Sequence, residues 1–105
     1  MTDKSRDDRW SEAVKKKARG RCAHCGSSLS SAHHIIPRGV LKTRWLLENG
    51  IYACEWLHRG LERKRGKEEQ DKCLRIFVGL DRLKNLERIR DKELNPKMVG
   101  YREIA

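Results

Sequence analysis

The chain has 105 residues, which is enough for one domain and excludes barrel enzymes and doubly wound nucleotide-binding folds. Leu, Ile, Val and Phe together number 22, so the sequence predicts a thin apolar core. Lys and Arg number 25 against 15 Asp and Glu, which gives a formal net charge of +10. This surplus favours a polyanionic partner, with nucleic acid ahead of an anionic membrane surface.

No apolar run approaches the length that spans a bilayer, and residues 1–10 are polar rather than signal-like. These features predict a cytoplasmic protein with no membrane partner. Four cysteines could form two disulfides in a secreted chain. Without a secretory signal, and with Cys22 and Cys25 spaced as CxxC, metal ligation is the favoured interpretation.

The N-terminal third predicts a helix followed by a metal knuckle. Over residues 7–19, Trp10, Val14 and Ala18 lie near one helical stripe, and Gly20 ends the helix. Residues 21–31 are small, polar and rich in Cys, which is typical of a tight turn wrapped around a metal.

The middle of the chain predicts two strands and a helix. Residues 31–36 and 50–54 are short segments with β-branched or aromatic residues, separated by a loop that contains Pro37 and Gly39. We expect them to pair as a small antiparallel ribbon. A helix is predicted over residues 55–65 because Trp56, Leu57 and Leu61 recur at helical spacing.

A charged stretch at residues 62–72 leads into a second helical region, predicted over residues 73–95. Its apolar stripe is predicted to form one long helix or two helices joined near Gly79. The stripe consists of Ile76, Phe77, Leu80, Leu83, Leu86 and Ile89. Pro96 stops this region, and the tail over residues 97–105 carries enough apolar side chains to dock back.

Several chemistry-bearing segments follow one another in the first two thirds of the chain. They are Cys22-Ala-His-Cys25, His33-His34-Ile35-Ile36-Pro37-Arg38, Asn49, Cys54 and His58-Arg59-Gly60. In this order and spacing they resemble the HNH nucleases over about residues 21–65. The resemblance implies an α+β fold with a small ββα-metal (His-Me finger) core and a structural zinc, flanked by N- and C-terminal helices in a single domain.

The resemblance also implies a role for each residue of the set. His34 would be the general base, and His33 and His58 would bind a catalytic divalent ion. Asn49 would position His34 and its loop. Histidine suits the first role because its pKa near 6.5 leaves it mostly neutral at pH 7–8 and able to accept a proton from attacking water.

One residue departs from the common form of this pattern. Many members of the family carry Asp where this chain has His33, and the added imidazole favours Mn, Co, Ni or Zn relative to Mg. Glu62 lies four residues after His58 on the same helical face and is a further candidate ligand. Adjacent strand residues also point to opposite faces, so His33 and His34 can serve one site only if the strand ends or kinks nearby.

The cysteines do not form the second CxxC that usually completes a zinc site in this family, because Leu57 stands three residues after Cys54. We therefore predict a closed structural zinc site with four sulfur ligands. These ligands are Cys22, Cys25, Cys54 and Cys73. In the alternative, Cys73 is an ordinary buried cysteine, and His24 or water takes the fourth position.

Eight basic residues and three acidic ones lie between residues 38 and 67. Such a block grips phosphates without reading bases, and Arg38 and Arg59 are the candidate phosphate contacts nearest to the predicted ligands. Trp45 and Trp56 are predicted to belong to the core rather than to stack on bases.

Taken together, the sequence predicts a metal-dependent endonuclease that nicks or cuts DNA. A non-catalytic, zinc-stapled DNA-binding module is the alternative. A third interpretation is an adaptor whose apolar stripe at residues 80–89 docks on a larger phage or restriction protein, and this could coexist with the first. The sequence leaves the oligomeric state and the choice between DNA and RNA open.

Overall fold

The computed structural model describes residues 2–104, an α+β arrangement with an N-terminal helix, a two-stranded antiparallel sheet and then further helices. The helices are α1 (Asp3–Lys17), α2 (Leu41–Arg44), α3 (Glu55–Leu61), α4 (Lys67–Cys73) and α5 (Leu80–Arg90), and the strands are β1 (Ser30–His34) and β2 (Gly50–Cys54). Short 3-10 turns lie at Leu47–Asn49 and Pro96–Val99, and a π-helical turn at Leu74–Val78. Within residues 2–104, every helix is too short or too polar to span a bilayer.

The first helix begins earlier than the predicted residue 7 because Thr2 caps it. The Thr2 side chain accepts a hydrogen bond from the Ser5 backbone N–H at 3.1 Å, which satisfies one of the free donors of the first turn. Trp10 and Val14, one helical turn apart, are its two buried residues. The apolar stripe therefore located the buried face of α1 correctly but not its polar first turn.

The predicted ribbon is confirmed, with β1 ending two residues early. His33 pairs with Ile51 and His34 with Gly50. The Ile35 N–H then bonds to the Asn49 carbonyl, outside the regular ladder, at 2.9 Å. The chain thus leaves the strand immediately after the two histidines.

Residues with a positive backbone φ divide the second half of the chain into short helices. α3 ends at Leu61 rather than residue 65, and Arg63 and Gly66 then adopt φ of 66° and 96°. Gly79 has φ of 92° between the π-helical turn and α5, so of the two alternatives for this region the structure shows the one with a break at Gly79. α4 lies mostly in the stretch that the sequence showed only as charged.

The apolar stripe of the C-terminal region is split between core and surface. Leu86 and Ile89 are buried in one cluster with Ile36 and Leu46. Ile76 and Leu80 are 56% and 51% exposed. The buried half therefore belongs to the protein's own core and is not a free docking surface.

Both ends of the described chain meet at Trp45. The Arg6 guanidinium lies 4.0 Å from the Trp45 ring and forms an ion pair of 2.5 Å with Glu103. The Ile104 N–H bonds to the Trp45 carbonyl at 2.8 Å. The predicted docking of the tail is thus confirmed.

Gly50 permits the close approach of α1 to β2. A Cβ at this position would clash with Val14 Cγ2 and lie 2.8 Å from Trp10 Cζ2. We therefore expect Gly50→Ala to lower the free energy of unfolding by about 1–3 kcal/mol, as overpacking does. Urea denaturation measures this, with Gly39→Ala as the control because its Cβ would meet nothing within 4 Å. Equal losses in the two variants would contradict the steric explanation.

Candidate functional site

Three cysteines converge where the knuckle meets the end of β2. Their Sγ atoms all lie within 4.8 Å of one another, and the residues are Cys22, Cys25 and Cys54. Since zinc binds thiolates at about 2.3 Å, these separations bring the three sulfurs within reach of one ion. The group could therefore hold a metal such as zinc.

The surroundings of Cys22 suit a metal-bound thiolate. Burial raises the pKa of its thiol, but backbone N–H groups outweigh this effect and bring the pKa down to about 7. Two of these donors are the N–H groups of His24 and Cys54, each 3.3 Å from Cys22 Sγ. Hydrogen bonds to the charged form favour the thiolate, which is the form that binds metal.

The structure does not bring Cys73 into this group. Its side chain is 2% exposed in the core, and its sulfur lies 3.9 Å from Arg65 Nη2. Gly60 makes room for it, because a Cβ there would lie 2.8 Å from Cys73 Sγ. The His24 ring stacks on Trp56 at 4.4 Å and is also outside the group. Among the described residues, the structure therefore gathers three of the four predicted sulfur ligands.

A second group joins β1 to α3. One ligand atom from each of His33, His58 and Glu62 lies within 4.8 Å of the others. Glu62 Oε1 is 3.5 Å from His58 Nδ1 and 3.9 Å from His33 Nδ1. The two imidazole centroids are 4.6 Å apart. This second group is also a possible metal-binding site.

Burial keeps the first histidine of this group uncharged. Desolvation, followed by the influence of His58, lowers the pKa of His33 to about 4. The His58 Nε2 atom lies 3.1 Å from the Ser31 hydroxyl, which fixes the ring orientation and leaves Nδ1 facing Glu62. A neutral imidazole with a free nitrogen is the form that binds a metal ion.

His34 points away from its neighbour, as the alternation of a strand requires. Its ring stacks on Trp10 with centroids 3.8 Å apart and planes 8° from parallel. Its Nε2 lies 3.0 Å from the Arg44 carbonyl. Because a carbonyl only accepts, Nε2 carries the proton and Nδ1 is unprotonated in the neutral ring. Burial is the main cause that lowers the pKa of His34 below 6.5.

Asn49 is fully buried and ties the strand end to the start of β2. Its Oδ1 accepts a hydrogen bond from the Ile36 N–H at 2.7 Å, and its Nδ2 donates to the Ile36 carbonyl at 3.1 Å. The side chain thus replaces a missing rung of the ladder two residues after His34. In this structure it contacts the loop rather than the imidazole itself.

A cleft of about 620 Å³ runs beside the end of β1 and is lined by both adjacent histidines, Arg38, Glu62 and Gln70. The rings of His33 and His34 face opposite ways. Both residues nevertheless border the cleft, because the chain leaves the strand ladder directly after His34. His58 borders a neighbouring depression with Ser31. The second metal-binding group therefore lies between the two depressions.

The two predicted phosphate contacts differ in position. Arg38 is exposed at the rim of the cleft. Arg59 is exposed on α3 and does not line the cleft formed by the described residues. Of the two tryptophans, Trp45 is buried as predicted. The prediction that Trp56 belongs to the core is wrong, because the residue is 45% exposed and its ring is covered on one face by the Arg65 guanidinium at 3.8 Å.

The residues that surround His34 could not be identified from the sequence. Arg44 is held by Asp7, whose carboxylate accepts bonds from Arg44 Nε at 3.1 Å and Nη2 at 2.8 Å. The Trp45 indole N–H donates to the same carboxylate at 3.0 Å. Asp7 lies 37 and 38 positions from Arg44 and Trp45 along the chain. A local sequence pattern therefore could not predict these contacts.

The bonds to Asp7 predict an acid-sensitive contribution to stability. Hydrogen bonds from Arg44, and then from Trp45, hold the pKa of this carboxyl below 3.8, and the charge of His34 acts in the same direction. A lowered folded-state pKa stabilises the fold above about pH 4, and that contribution is lost as the pH falls through the folded-state pKa.

We therefore expect Asp7→Asn to lower the free energy of unfolding by about 1–3 kcal/mol at pH 7. The difference in Tm between this variant and the wild type should shrink as the pH falls below about 5 and through the lowered folded-state pKa of Asp7. Calorimetry across that range measures it. A difference that stayed constant or grew on acidification would show that the carboxylate charge is not involved.

Comparisons with protein-family models, with curated proteins and with solved structures found no match to this chain. The resemblance to the HNH nucleases therefore depends on the residues and their spacing.

Proposed function

We propose that this chain is a metal-dependent endonuclease of the HNH type, which hydrolyses DNA phosphodiester bonds. The observation that carries the proposal is that residues of a possible metal-binding group and a histidine able to act as a base line the same cleft. His33 and Glu62, two members of a three-residue metal-binding group, line it together with His34, whose Nδ1 is unprotonated. A binding module has no need for such a combination.

The divalent ion would be held by His33, His58 and Glu62. Two neutral imidazoles and one carboxylate suit Mn, Co, Ni or Zn better than Mg, because nitrogen ligands are softer than oxygen ligands. When bound, such an ion supplies positive charge that offsets the charge building up on the scissile phosphate and on the leaving oxygen.

His34 would act as the general base. Its Nε2–H donates to the Arg44 carbonyl, so the unprotonated nitrogen is Nδ1. A lowered pKa keeps this nitrogen free at neutral pH, ready to accept the proton of water as its oxygen attacks phosphorus. Asn49 would serve as a positioning residue by fixing the loop that follows.

The charge of the molecule supports a nucleic acid as substrate. The net charge is +10, and Arg38 stands at the rim of the cleft, where a phosphate would approach. Arg59 would contact phosphates on the outer face of α3. By its resemblance to the family, the enzyme would leave a 5′ phosphate and a 3′ hydroxyl.

We further propose that the Cys22, Cys25 and Cys54 group holds a zinc ion with a structural role. The group lies at the junction of the knuckle, β2 and α3, where an ion would cross-link three segments of a small core. The ββα-metal core itself would consist of the sheet, α3 and the divalent ion at His33, His58 and Glu62, and the zinc would stabilise it.

Supercoiled plasmid tests the activity directly. The protein is incubated with plasmid in Mg, Mn, Co, Ni or Zn, or in EDTA, and nicked and linear products are measured on a gel. We expect products with at least one metal and none in EDTA. Intact plasmid under every condition, with DNA binding retained, would overturn the nuclease proposal in favour of a non-catalytic DNA-binding module.

A further inference from the structure

The His34 imidazole is held by a side chain from outside the proposed ββα core. Trp10 of α1 lies against its face, with ring centroids 3.8 Å apart and planes 8° from parallel. Trp10 is itself 1% exposed, and its indole N–H donates to the Leu46 carbonyl at 2.8 Å. The indole is thus fixed by packing and by a hydrogen bond, and it sets the plane of the imidazole.

The edge of the same imidazole is held by a chain of polar contacts that also ends on α1. His34 Nε2–H donates to the Arg44 carbonyl, and the Arg44 guanidinium is paired with Asp7 at 2.8 Å. Both charged side chains are mostly buried, with exposures of 14% and 17%. Asp7 and Trp10 are three residues apart and therefore lie on one face of the helix.

We propose that Trp10 and Asp7 are positioning residues for the general base, so that α1 forms part of the reaction centre. Trp10 fixes the plane of the His34 ring. Asp7 holds the side chain of Arg44, the residue whose carbonyl selects the Nε2–H tautomer of His34 and so leaves Nδ1 unprotonated. The assignment rests on the proposed function, since a positioned base matters only where a proton is transferred.

General bases depend strongly on such placement. A displacement of about 1 Å in a reacting group can lower the rate by about 100-fold, because the proton acceptor no longer meets its water in line. Both the plane and the tautomer of His34 are set by contacts from α1 and α2, whereas Asn49 holds only the backbone two residues further along.

Three variants test the proposal, together with a matched control. Trp10→Leu removes the flat surface, Trp10→Phe retains an aromatic face, and Asp7→Asn removes the charge that holds Arg44. Val14→Ala is the control, because it removes core packing one turn further along α1 while keeping Asp7 and Trp10. Single-turnover cleavage, DNA affinity and Tm are measured for each.

We expect Trp10→Leu and Asp7→Asn to lower the single-turnover rate by about 10- to 100-fold with DNA affinity unchanged. Trp10→Phe should retain most of the single-turnover rate. Val14→Ala should have a lower Tm than the wild type and an unchanged single-turnover rate. Equal loss of rate in Val14→Ala and Trp10→Leu would overturn the proposal, since it would reduce α1 to a structural support. If Trp10→Leu does not fold, the single-turnover rates of Trp10→Phe and Asp7→Asn test the proposal instead.

Nitrogen-15 NMR of the imidazoles separates this proposal from the proposed nuclease function. The His34 signals are assigned by their loss in His34→Ala. In the wild type we expect the Nε2–H tautomer and an upfield ring-current shift of the His34 carbon-bound protons. Loss of that shift in Trp10→Leu and loss of the single tautomer in Asp7→Asn would support positioning even if the wild type did not cleave DNA. Unchanged signals would overturn it.

Discussion

Replacing His34 with alanine is expected to lower the rate of plasmid cleavage by about 100- to 10,000-fold, the range that a general base contributes. Metal binding should persist, because the three residues of the proposed metal group remain. Cleavage under the best metal, metal affinity and DNA affinity are measured on the same preparations. The expected pattern is a loss of rate with both affinities close to those of the wild type.

Two further variants control for damage around the ring. His34→Gln keeps a polar side chain that can donate to the Arg44 carbonyl but has no basic nitrogen, so it should be as inactive as alanine. His34→Gly opens a space beside Trp10, and added imidazole should restore part of its activity. Cleavage by His34→Ala at the wild-type rate would show that another group, or a contaminating nuclease, performs the reaction.

Removing the proposed zinc from the cysteine group is expected to unfold most of the protein. The apolar core is thin, and Cys22 itself belongs to the buried cluster with Leu57 and Leu61. Structural zinc contributes directly to folding, and about 10–16 kcal/mol of apparent binding energy has been typical of small zinc domains. Cys54→Ser should therefore lose both zinc content and a cooperative melting transition.

Cys73→Ala is the matched control for Cys54→Ser. Its sulfur is buried against Arg65 and Gly60 and lies outside the three-sulfur group, so the variant should keep its zinc. Lost packing should reduce stability by about 0.5–3 kcal/mol. Zinc content and circular dichroism are measured for both variants. Loss of zinc in Cys73→Ala as well would support the closed four-sulfur site. Retention of zinc in both Cys54→Ser and Cys73→Ala would exclude a metal site at the cysteine group.

Elements defined by a short-range signal could be predicted well. β2 was located at its observed residues, and Gly79 was named as the place where the C-terminal helical region would break if it formed two helices, since glycine readily adopts a positive φ. α4 was missed because its residues are mostly charged and show no apolar period. The early end of β1 depends on Asn49, which replaces the ladder bonds from 13 residues away.

The candidate site likewise has parts that could be predicted from the sequence and parts that could not. The proximity of His33 and His58 was implied by the resemblance to the HNH nucleases, and the position of Glu62 near His58 followed from the helical repeat. The packing of Trp10 on His34 could not be predicted, because any apolar residue in the stripe of α1 would have had the same local signal. The separation of Cys73 from the other cysteines likewise depends on how α4 packs, which spacing along the chain does not specify.

The meeting of the two ends at Trp45 bears on how the molecule opens. Fraying of either end would have to break the contact of Arg6 with Glu103 or that of Ile104 with the Trp45 carbonyl, and each end protects the other. Trp45 is also bonded to Asp7. Trp45 therefore connects the last described residues to Asp7 and Arg44, the side chains beside His34, so loss of the tail should be felt at the proposed general base.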